Sequence, residues 1–177
     1  MSLATGSVIG GPGEAANRIR FNTGPGVNVS GTGHDVRENA IDSNGGLGID
    51  LGGDGVTAND PGDGDTGANE QQNYPVITNA IVSGSSVFVS GTFNGAPGTT
   101  VTIRLFQSAS CDASDFGEGA APLQGGTFDI TTNVDGNASF GQLFSDSVPP
   151  GSQITGTATG PGGNTSEFSA CRAVNLG

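Results

Sequence analysis

Residues 50–75 read DLGGDGVTANDPGDGDTGANEQQNYP, and they separate two parts of the chain that differ in sequence periodicity. The stretch has no Lys, Arg or His, and its six acidic residues are Asp50, Asp54, Asp60, Asp63, Asp65 and Glu70. Glycines at short intervals let the backbone curl, so that carboxylate and carbonyl oxygens can converge on one point. Ca²⁺ takes about 6–8 oxygen ligands of these kinds. The stretch therefore predicts a calcium-ordered joint, and a solvated acidic linker is the alternative.

The predicted ligands of this joint are its aspartates and one asparagine. They are Asp50, Asp54, Asp60, Asp63, Asp65 and Asn69. Extracellular modules bind calcium with dissociation constants of about 10⁻⁴–10⁻³ M. We therefore expect Ca²⁺ as the cofactor if the protein is extracellular, with the ion fixing the angle between the two flanking parts.

The composition favours strands over helices. Of the 177 residues 33 are Gly, the hydrophobic content is 33%, and Trp is absent. Gly, Thr, Ser, Asn and Asp dominate, and each of them disfavours the interior of a helix. We expect an all-β protein with a thin core of Val, Ile, Leu and Phe.

The net charge restricts the classes of partner that the protein is expected to bind. The net charge is −12, and all five basic residues are Arg. Nucleic acids and anionic membrane surfaces require a basic surface, so neither is an expected partner. No apolar run reaches the roughly 18 residues of a membrane-spanning helix. Cations and neutral polymers such as polysaccharides are compatible with this surface.

An internal repeat of 22 residues occupies the first part of the chain. The segment NRIRFN at 17–22 aligns with NAIDSN at 39–44, and GVNVSG at 26–31 aligns with GIDLGG at 48–53. Two short alternating strands in each 22 residues are typical of one coil of a parallel β-helix. The coils would stack residue on residue, with the pairs Ile19 and Ile41, Val27 and Ile49, Val29 and Leu51, and Asn22 and Asn44.

About two coils are present, whereas solenoids usually need at least three. We therefore expect residues 1–53 to be the end of a longer solenoid. An exposed coil edge would result, and self-association through that edge is one consequence.

Residues 31–38 carry the single His34, followed by Asp35, Arg37 and Glu38. A catalytic site of carboxylates and Arg is one interpretation, but glycoside hydrolysis needs two carboxyls at a defined separation of about 5–9.5 Å. Neighbours in a loop do not ensure that separation. The preferred interpretation is a solvated corner with a local Arg–Glu contact, so no catalytic residue is assigned.

After residue 75 the periodicity becomes two. Alternating segments near 76–82, 87–90, 101–106, 127–131, 137–144, 152–160 and 165–174 are separated by turn sequences such as GAPG at 95–98 and PPG at 149–151. Seven short strands in about 100 residues predict an immunoglobulin-like antiparallel β-sandwich. Parallel connections are not expected, because the gaps are too short for crossover helices.

The two cysteines, Cys111 and Cys171, are far apart in sequence and lack a metal-binding spacing. A disulfide is expected if the protein is secreted, and two buried free thiols are the alternative. The bridge would tether the polar loop at 110–119 to the last strand. Asp112, Asp115 and Glu118 in this loop form either a second, weaker cation site or a plain solvated loop.

The chain resembles the closing segment of bacterial secreted right-handed parallel β-helix repeat proteins. The matching residues are Asn39 and Ile41, SNGGLGIDLGG at 43–53, DGVTANDPGDGDTGAN at 54–69, QNYPV at 72–76 and GNTSEFS at 163–169. This resemblance implies a large extracellular or surface-attached protein with a β-sandwich after its solenoid. It implies no reaction, because carbohydrate enzymes and adhesins share the solenoid.

Taken together, these features predict about two coils of right-handed parallel β-helix at 1–53, an acidic calcium-binding joint at 54–74, and an immunoglobulin-like β-sandwich at 75–177. The predicted function is a non-catalytic, calcium-stabilised structural or adhesive module of a secreted or cell-surface bacterial protein. The alternative is a carbohydrate-binding or polysaccharide-processing β-helix protein, with a polysaccharide or surface partner.

Overall fold

The computed structural model describes residues 6–177, and it is all-β. The first five residues of the predicted coil region lie outside the described residues. Two short 3-10 helices interrupt the strands, at Gly13–Ala15 and Ala68–Gln71. Among the described residues, no helix is long and apolar enough to cross a membrane.

Six three-residue strands form the first part of the chain. They are β1 (Val8–Gly10), β2 (Arg18–Arg20), β3 (Val27–Val29), β4 (Asp35–Arg37), β5 (Ala40–Asp42) and β6 (Ile49–Leu51). They pair in parallel as β1 with β4, β2 with β5, and β3 with β6. We call β1–β3 with their connections the first coil, and β4–β6 the second coil. Each strand of one coil thus lies beside the corresponding strand of the other.

The register confirms the 22-residue repeat. Ile19 lies opposite Ile41, Val27 opposite Ile49, and Val29 opposite Leu51. Polar side chains follow the same register at the turns. The Oδ1 atom of Asn44 accepts hydrogen bonds from the backbone N–H of Asn22 at 3.2 Å and from its Nδ2 at 2.8 Å.

The left-handed backbone at these turns belongs to the residue before each asparagine. Phe21 and Ser43 both have φ of 59°, whereas the neighbouring asparagines do not have positive φ. The asparagine side chains connect the coils, and the residue before each asparagine makes the corner.

The interpretation of residues 31–38 as a solvated corner was wrong. This segment contains β4, which pairs with β1 at a spacing of 27 residues. His34 is fully buried and Val36 is 2% exposed. Arg37 pairs with Asp35, its neighbour on β4, at 3.1 Å, and not with Glu38. The repeat of 22 therefore holds for two of the three strand pairs.

The second part of the chain forms two four-stranded sheets. Its strands are β7 (Val76–Ser83), β8 (Ser86–Asn94), β9 (Thr100–Ser108), β10 (Ala121–Thr131), β11 (Asn137–Phe144), β12 (Gln153–Thr159), β13 (Arg172–Ala173) and β14 (Asn175–Leu176). One sheet has the order β10–β9–β12–β13, and the other has the order β11–β8–β7–β14. Six of the seven predicted strands are present.

Two expectations for the second part were wrong. β14 pairs with β7 in parallel. No crossover helix is needed for this pair, because the chain returns to the β7 edge after passing through the strands between them. The predicted strand at 165–174 is mostly irregular, with isolated bridges at Thr165 and Ala170 before the short β13. Residues 165–169 are all buried, so the alternation of a strand with one solvated face is absent.

The apolar residues form two cores. The first is shared by the two four-stranded sheets and includes Val89 and Ile103, which are fully buried, and Leu105 at 1% exposed. The second contains the inward residues of both coils, together with Phe106 and Phe168 from the second part of the chain. The coils therefore complete their core with side chains that lie far along the sequence.

Candidate functional site

Three carboxylates converge in the acidic stretch. Asp60, Asp63 and Asp65 each offer one oxygen, and these oxygens lie within 4.8 Å of one another. The loop is tightly curled here, because Gly62 and Asp63 have positive φ of 83° and 56°. The N–H of Gly64 also donates to the Asp60 carboxylate at 3.2 Å.

Asn73 and Gln72 hold this loop from the other side. The backbone N–H of Asn73 donates to Asp63 at 2.7 Å, and the Gln72 side-chain amide donates to the second oxygen of Asp63. The side chain of Asn73 accepts from the N–H of Asp60 at 3.0 Å and donates to its carbonyl at 2.8 Å. The positions of Asp60 and Asp63 are therefore fixed by neutral amide groups.

Among residues 6–177, no salt bridge joins this triad to a basic side chain. Within the same residues, one oxygen of Asp60 and one of Asp65 are buried without a hydrogen-bond partner. Burial raises the pKa of Asp63 to about 6, with repulsion from Asp60 and Asp65 adding to the shift. Burial and repulsion from Asp60 also raise the pKa of Asp65. Crowded, partly desolvated carboxylate oxygens are suitable ligands for a hard divalent cation.

The other three predicted ligands lie outside this triad. Asp50 is 7% exposed, and its carboxylate accepts from the N–H groups of Gly53 and Gly55. Asp54 is exposed. Asn69 is fully buried, and its side chain bonds both backbone groups of His34 and the carbonyl of Thr165.

The polar loop at 110–119 does not gather its acidic side chains in this way. Among the described residues, the single group of three or more potential ligands is the triad above. Glu118 instead accepts hydrogen bonds from the backbone N–H groups of Ser43 and Asn44 at 2.8 and 3.1 Å. The disulfide is formed, with Cys111 and Cys171 having Cα atoms 6.0 Å apart, so that prediction is confirmed.

A second feature lies on the edge of the second coil that faces away from the first coil, which we call the downstream edge. Each of its strands has a backbone N–H group that points outward along this edge, on Val36 of β4, Ile41 of β5 and Leu51 of β6. Each one finds an acceptor in the second part of the chain. The acceptors are the hydroxyl of Thr165 at 3.0 Å, the carbonyl of Gly119 at 2.8 Å and the carboxylate of Glu167 at 3.0 Å.

Glu167 is the most unusual of these acceptors because its carboxylate is only 2% exposed. Besides Leu51, it accepts hydrogen bonds from the backbone and hydroxyl of Thr57 at 2.9 and 3.2 Å. Burial raises its pKa, and these hydrogen bonds oppose the shift. Burying a carboxylate costs free energy unless the group is hydrogen-bonded, and these bonds offset that cost.

Glu118 continues the asparagine ladder of the coils. One of its oxygens accepts from both the backbone N–H and the Nδ2 of Asn44, at 3.1 and 2.8 Å. Asn44 accepts the same pair of bonds from Asn22 one coil earlier. The Glu118 carboxylate thus occupies the hydrogen-bonding position that the next asparagine of the repeat would take.

Two aromatic rings close the coil core at the downstream edge. Phe106 and Phe168 are each 2% exposed and meet edge to face, with ring centroids 5.1 Å apart. Glycines allow this approach, since a Cβ on Gly48 would lie 2.8 Å from the Phe168 ring and one on Gly119 would lie 2.7 Å from it. We call Phe106, Glu118, Gly119, Thr165, Glu167 and Phe168 the cap.

Residues 163–169 carry part of the resemblance and the start of the strand predicted at 165–174, and their contacts with the coils were not predicted. The sequence gives no periodic signal for these contacts, because TSEFS at 165–169 has no alternation of apolar and polar residues. Comparisons of the sequence with protein-family models and with curated proteins found no match.

Proposed function

We propose that this chain is a non-catalytic structural or adhesive module of a secreted or cell-surface protein. In this proposal residues 75–177 form an immunoglobulin-like β-sandwich that closes the end of a short right-handed parallel β-helix. A Ca²⁺ ion bound by Asp60, Asp63 and Asp65 stiffens the joint.

The observation that carries the proposal is the downstream edge of the second coil. An unpaired strand edge is a template for pairing with other chains. Here an outward N–H group on each of the three strands, at Val36, Ile41 and Leu51, donates to the cap. A module that bonds all three strands of a coil edge is suited to end a stack of coils.

The strand pairing supports the sandwich interpretation. β8 pairs with β11 in one sheet, whereas β9 pairs with β12 in the other. Immunoglobulin-like domains distribute their second, third, fifth and sixth strands in this way. The disulfide supports an extracellular location, because disulfides persist in oxidising compartments.

The calcium assignment is tested by the melting temperature of the full chain in CaCl₂ and in EDTA. A ligand at 100 times its Kd stabilises by about 2.7 kcal/mol. For a domain of this size that corresponds to a rise of about 5–10 °C. We expect Asp63→Asn and Asp65→Asn to abolish this rise.

The matched control is Asp54→Asn, which removes the same charge from an exposed position outside the triad. It should keep the full calcium-dependent rise. If wild type shows no rise, or if Asp65→Asn keeps it, calcium does not bind at the triad. The same experiment with MgCl₂ tests whether the site prefers Ca²⁺ over the smaller Mg²⁺.

A further inference from the structure

A groove at one end of the β11–β8–β7 sheet has a lining without charged side chains. Its volume is about 500 Å³, within the range of small-molecule sites. The lining residues are Asn59, Val76, Thr92, Phe93, Asn94, Asn133, Asn137, Ala138 and Ser139. The groove is therefore a neutral concave surface on a chain with a net charge of −12.

The walls of the groove are held by hydrogen bonds between amides. Asn94 donates to Asn137 through their side chains at 2.8 Å, and the N–H of Asn137 donates to the Asn133 side chain at 2.9 Å. The Asn59 side chain bonds both backbone groups of Tyr74, at 2.8 and 2.9 Å. The groove is therefore largely formed before any ligand arrives, which lowers the entropy cost of binding.

Three polar groups that line the groove take no part in these hydrogen bonds. The hydroxyls of Thr92 and Ser139 and the Nδ2 of Asn133 have no hydrogen-bond partner within the described chain, and all three residues are exposed. Thr92 and Ser139 lie directly opposite each other on β8 and β11. Val76, opposite Thr92 on β7, is 49% exposed and supplies an apolar surface beside them.

These groups define the chemistry of a ligand. Two hydroxyls can both donate and accept, and the amide donates. The lining offers no cation for an anionic ligand and no carboxylate for a cationic one. A row of hydroxyl and amide groups beside an aliphatic patch matches a neutral sugar ring, which presents hydroxyls at its rim and C–H groups on its face.

We propose that this groove binds a neutral oligosaccharide, with Thr92, Ser139 and Asn133 as the hydrogen-bonding residues and Val76 as the apolar contact. This proposal does not depend on the cap. The groove adjoins the triad loop, because the N–H of Gly62 donates to the Asn94 side chain at 2.7 Å.

The test titrates the full chain with cellotetraose, maltotetraose, mannotetraose and, as an acidic comparison, tetragalacturonate. Isothermal calorimetry measures affinity, and ¹⁵N–¹H NMR of wild type locates binding. We expect at least one neutral tetrasaccharide to bind with a Kd below about 10 mM, and to shift the amide signals of Thr92, Ser139 and Asn133. Tetragalacturonate should not bind.

The double variant Thr92→Val with Ser139→Ala removes both hydroxyls and should weaken binding at least tenfold. The matched control is Thr131→Val with Ser83→Ala, at two exposed strand positions outside the groove, and it should bind like wild type. Binding of none of the neutral sugars, signal shifts elsewhere on the molecule, or full affinity in the folded Thr92 and Ser139 double variant would each overturn the proposal. The NMR mapping uses wild type, so it decides even if the double variant does not fold.

Discussion

Glu167 is the residue on which the downstream edge depends most. Its buried carboxylate accepts from Leu51 and Thr57, and its loss leaves the buried N–H of Leu51 and the partly buried N–H of Thr57 without acceptors. We expect Glu167→Ala to lower the free energy of unfolding by about 2–4 kcal/mol, because hydrogen bonds to charged groups are strong and unsatisfied buried donors are costly. Urea denaturation measures the change.

Glu14→Ala is the control for this substitution, since Glu14 is exposed. It should change the free energy of unfolding by no more than about 0.5 kcal/mol. Equal stability of the two variants would mean that the buried carboxylate contributes little.

Asp63 gives the protein a pH dependence with a defined sign. Its pKa in the folded protein is about 6, above the ordinary value of 3.8, so the folded state binds this proton more tightly than the unfolded state does. Without metal, this stabilisation is fully present below about pH 4 and is lost as the pH rises through 6. Urea titrations in EDTA from pH 4 to 7 should show that loss, and Asp63→Asn should reduce it.

Calcium reverses this trend, because the cation and the proton compete for the same carboxylates. The rise in melting temperature caused by CaCl₂ should therefore be larger at pH 7 than at pH 5. An equal rise at both pH values would contradict the assignment of Asp63 as a ligand.

The sequence predicted some of these residues and not others, for a physical reason. Asp60, Asp63 and Asp65 are two or three positions apart, so a glycine-rich loop brings them together without help from elsewhere. Asn69 bonds a carbonyl 96 residues away, at Thr165. Spacing within a loop cannot indicate a partner of that kind.

The core of the two coils depends on an aromatic ring from the second part of the chain. Phe168 is 2% exposed in the coil core. Phe168→Ala should destabilise the protein by about 3–5 kcal/mol, the usual result of removing a buried Phe and leaving a cavity. The measurement is urea denaturation followed by circular dichroism.

Phe21→Ala provides the matched control, because the same atoms are removed from a residue that is 76% exposed. A large loss of stability in this variant, or a small one in Phe168→Ala, would show that the coils do not need the ring.

The strands with a regular sequence period could be predicted, whereas residues 165–169, which contribute three residues to the cap, could not. The 22-residue repeat gave the register of β2 with β5 and of β3 with β6 directly, because stacked coils place equivalent residues side by side. Residues 165–169 lie between two packed bodies and are buried on both sides. With no solvated face they have no alternating pattern to recognise.

At the scale of the whole molecule, the disulfide closes a large loop. Cys111 and Cys171 are 60 residues apart, and the chain-entropy model assigns such a loop about 4 kcal/mol of stabilisation. We expect the double variant Cys111→Ser with Cys171→Ser to lose up to that amount in urea denaturation.

The reducing agent dithiothreitol provides the control. It should lower the stability of wild type towards that of the double variant and leave the double variant unchanged. Insensitivity of wild-type stability to complete reduction, verified by thiol titration, would show that the bridge is not stabilising.

The distance along the sequence between the downstream edge and its acceptors has a consequence for biosynthesis. Leu51 and Glu167 are 116 residues apart, and Val36 and Thr165 are 129 apart. On the ribosome the coils emerge long before the groups that cover them, and contacts of such long range form slowly. A nascent chain therefore passes through a period in which its coil backbone is open to mispairing. A holdase chaperone, or export before folding, would protect the polypeptide during that interval.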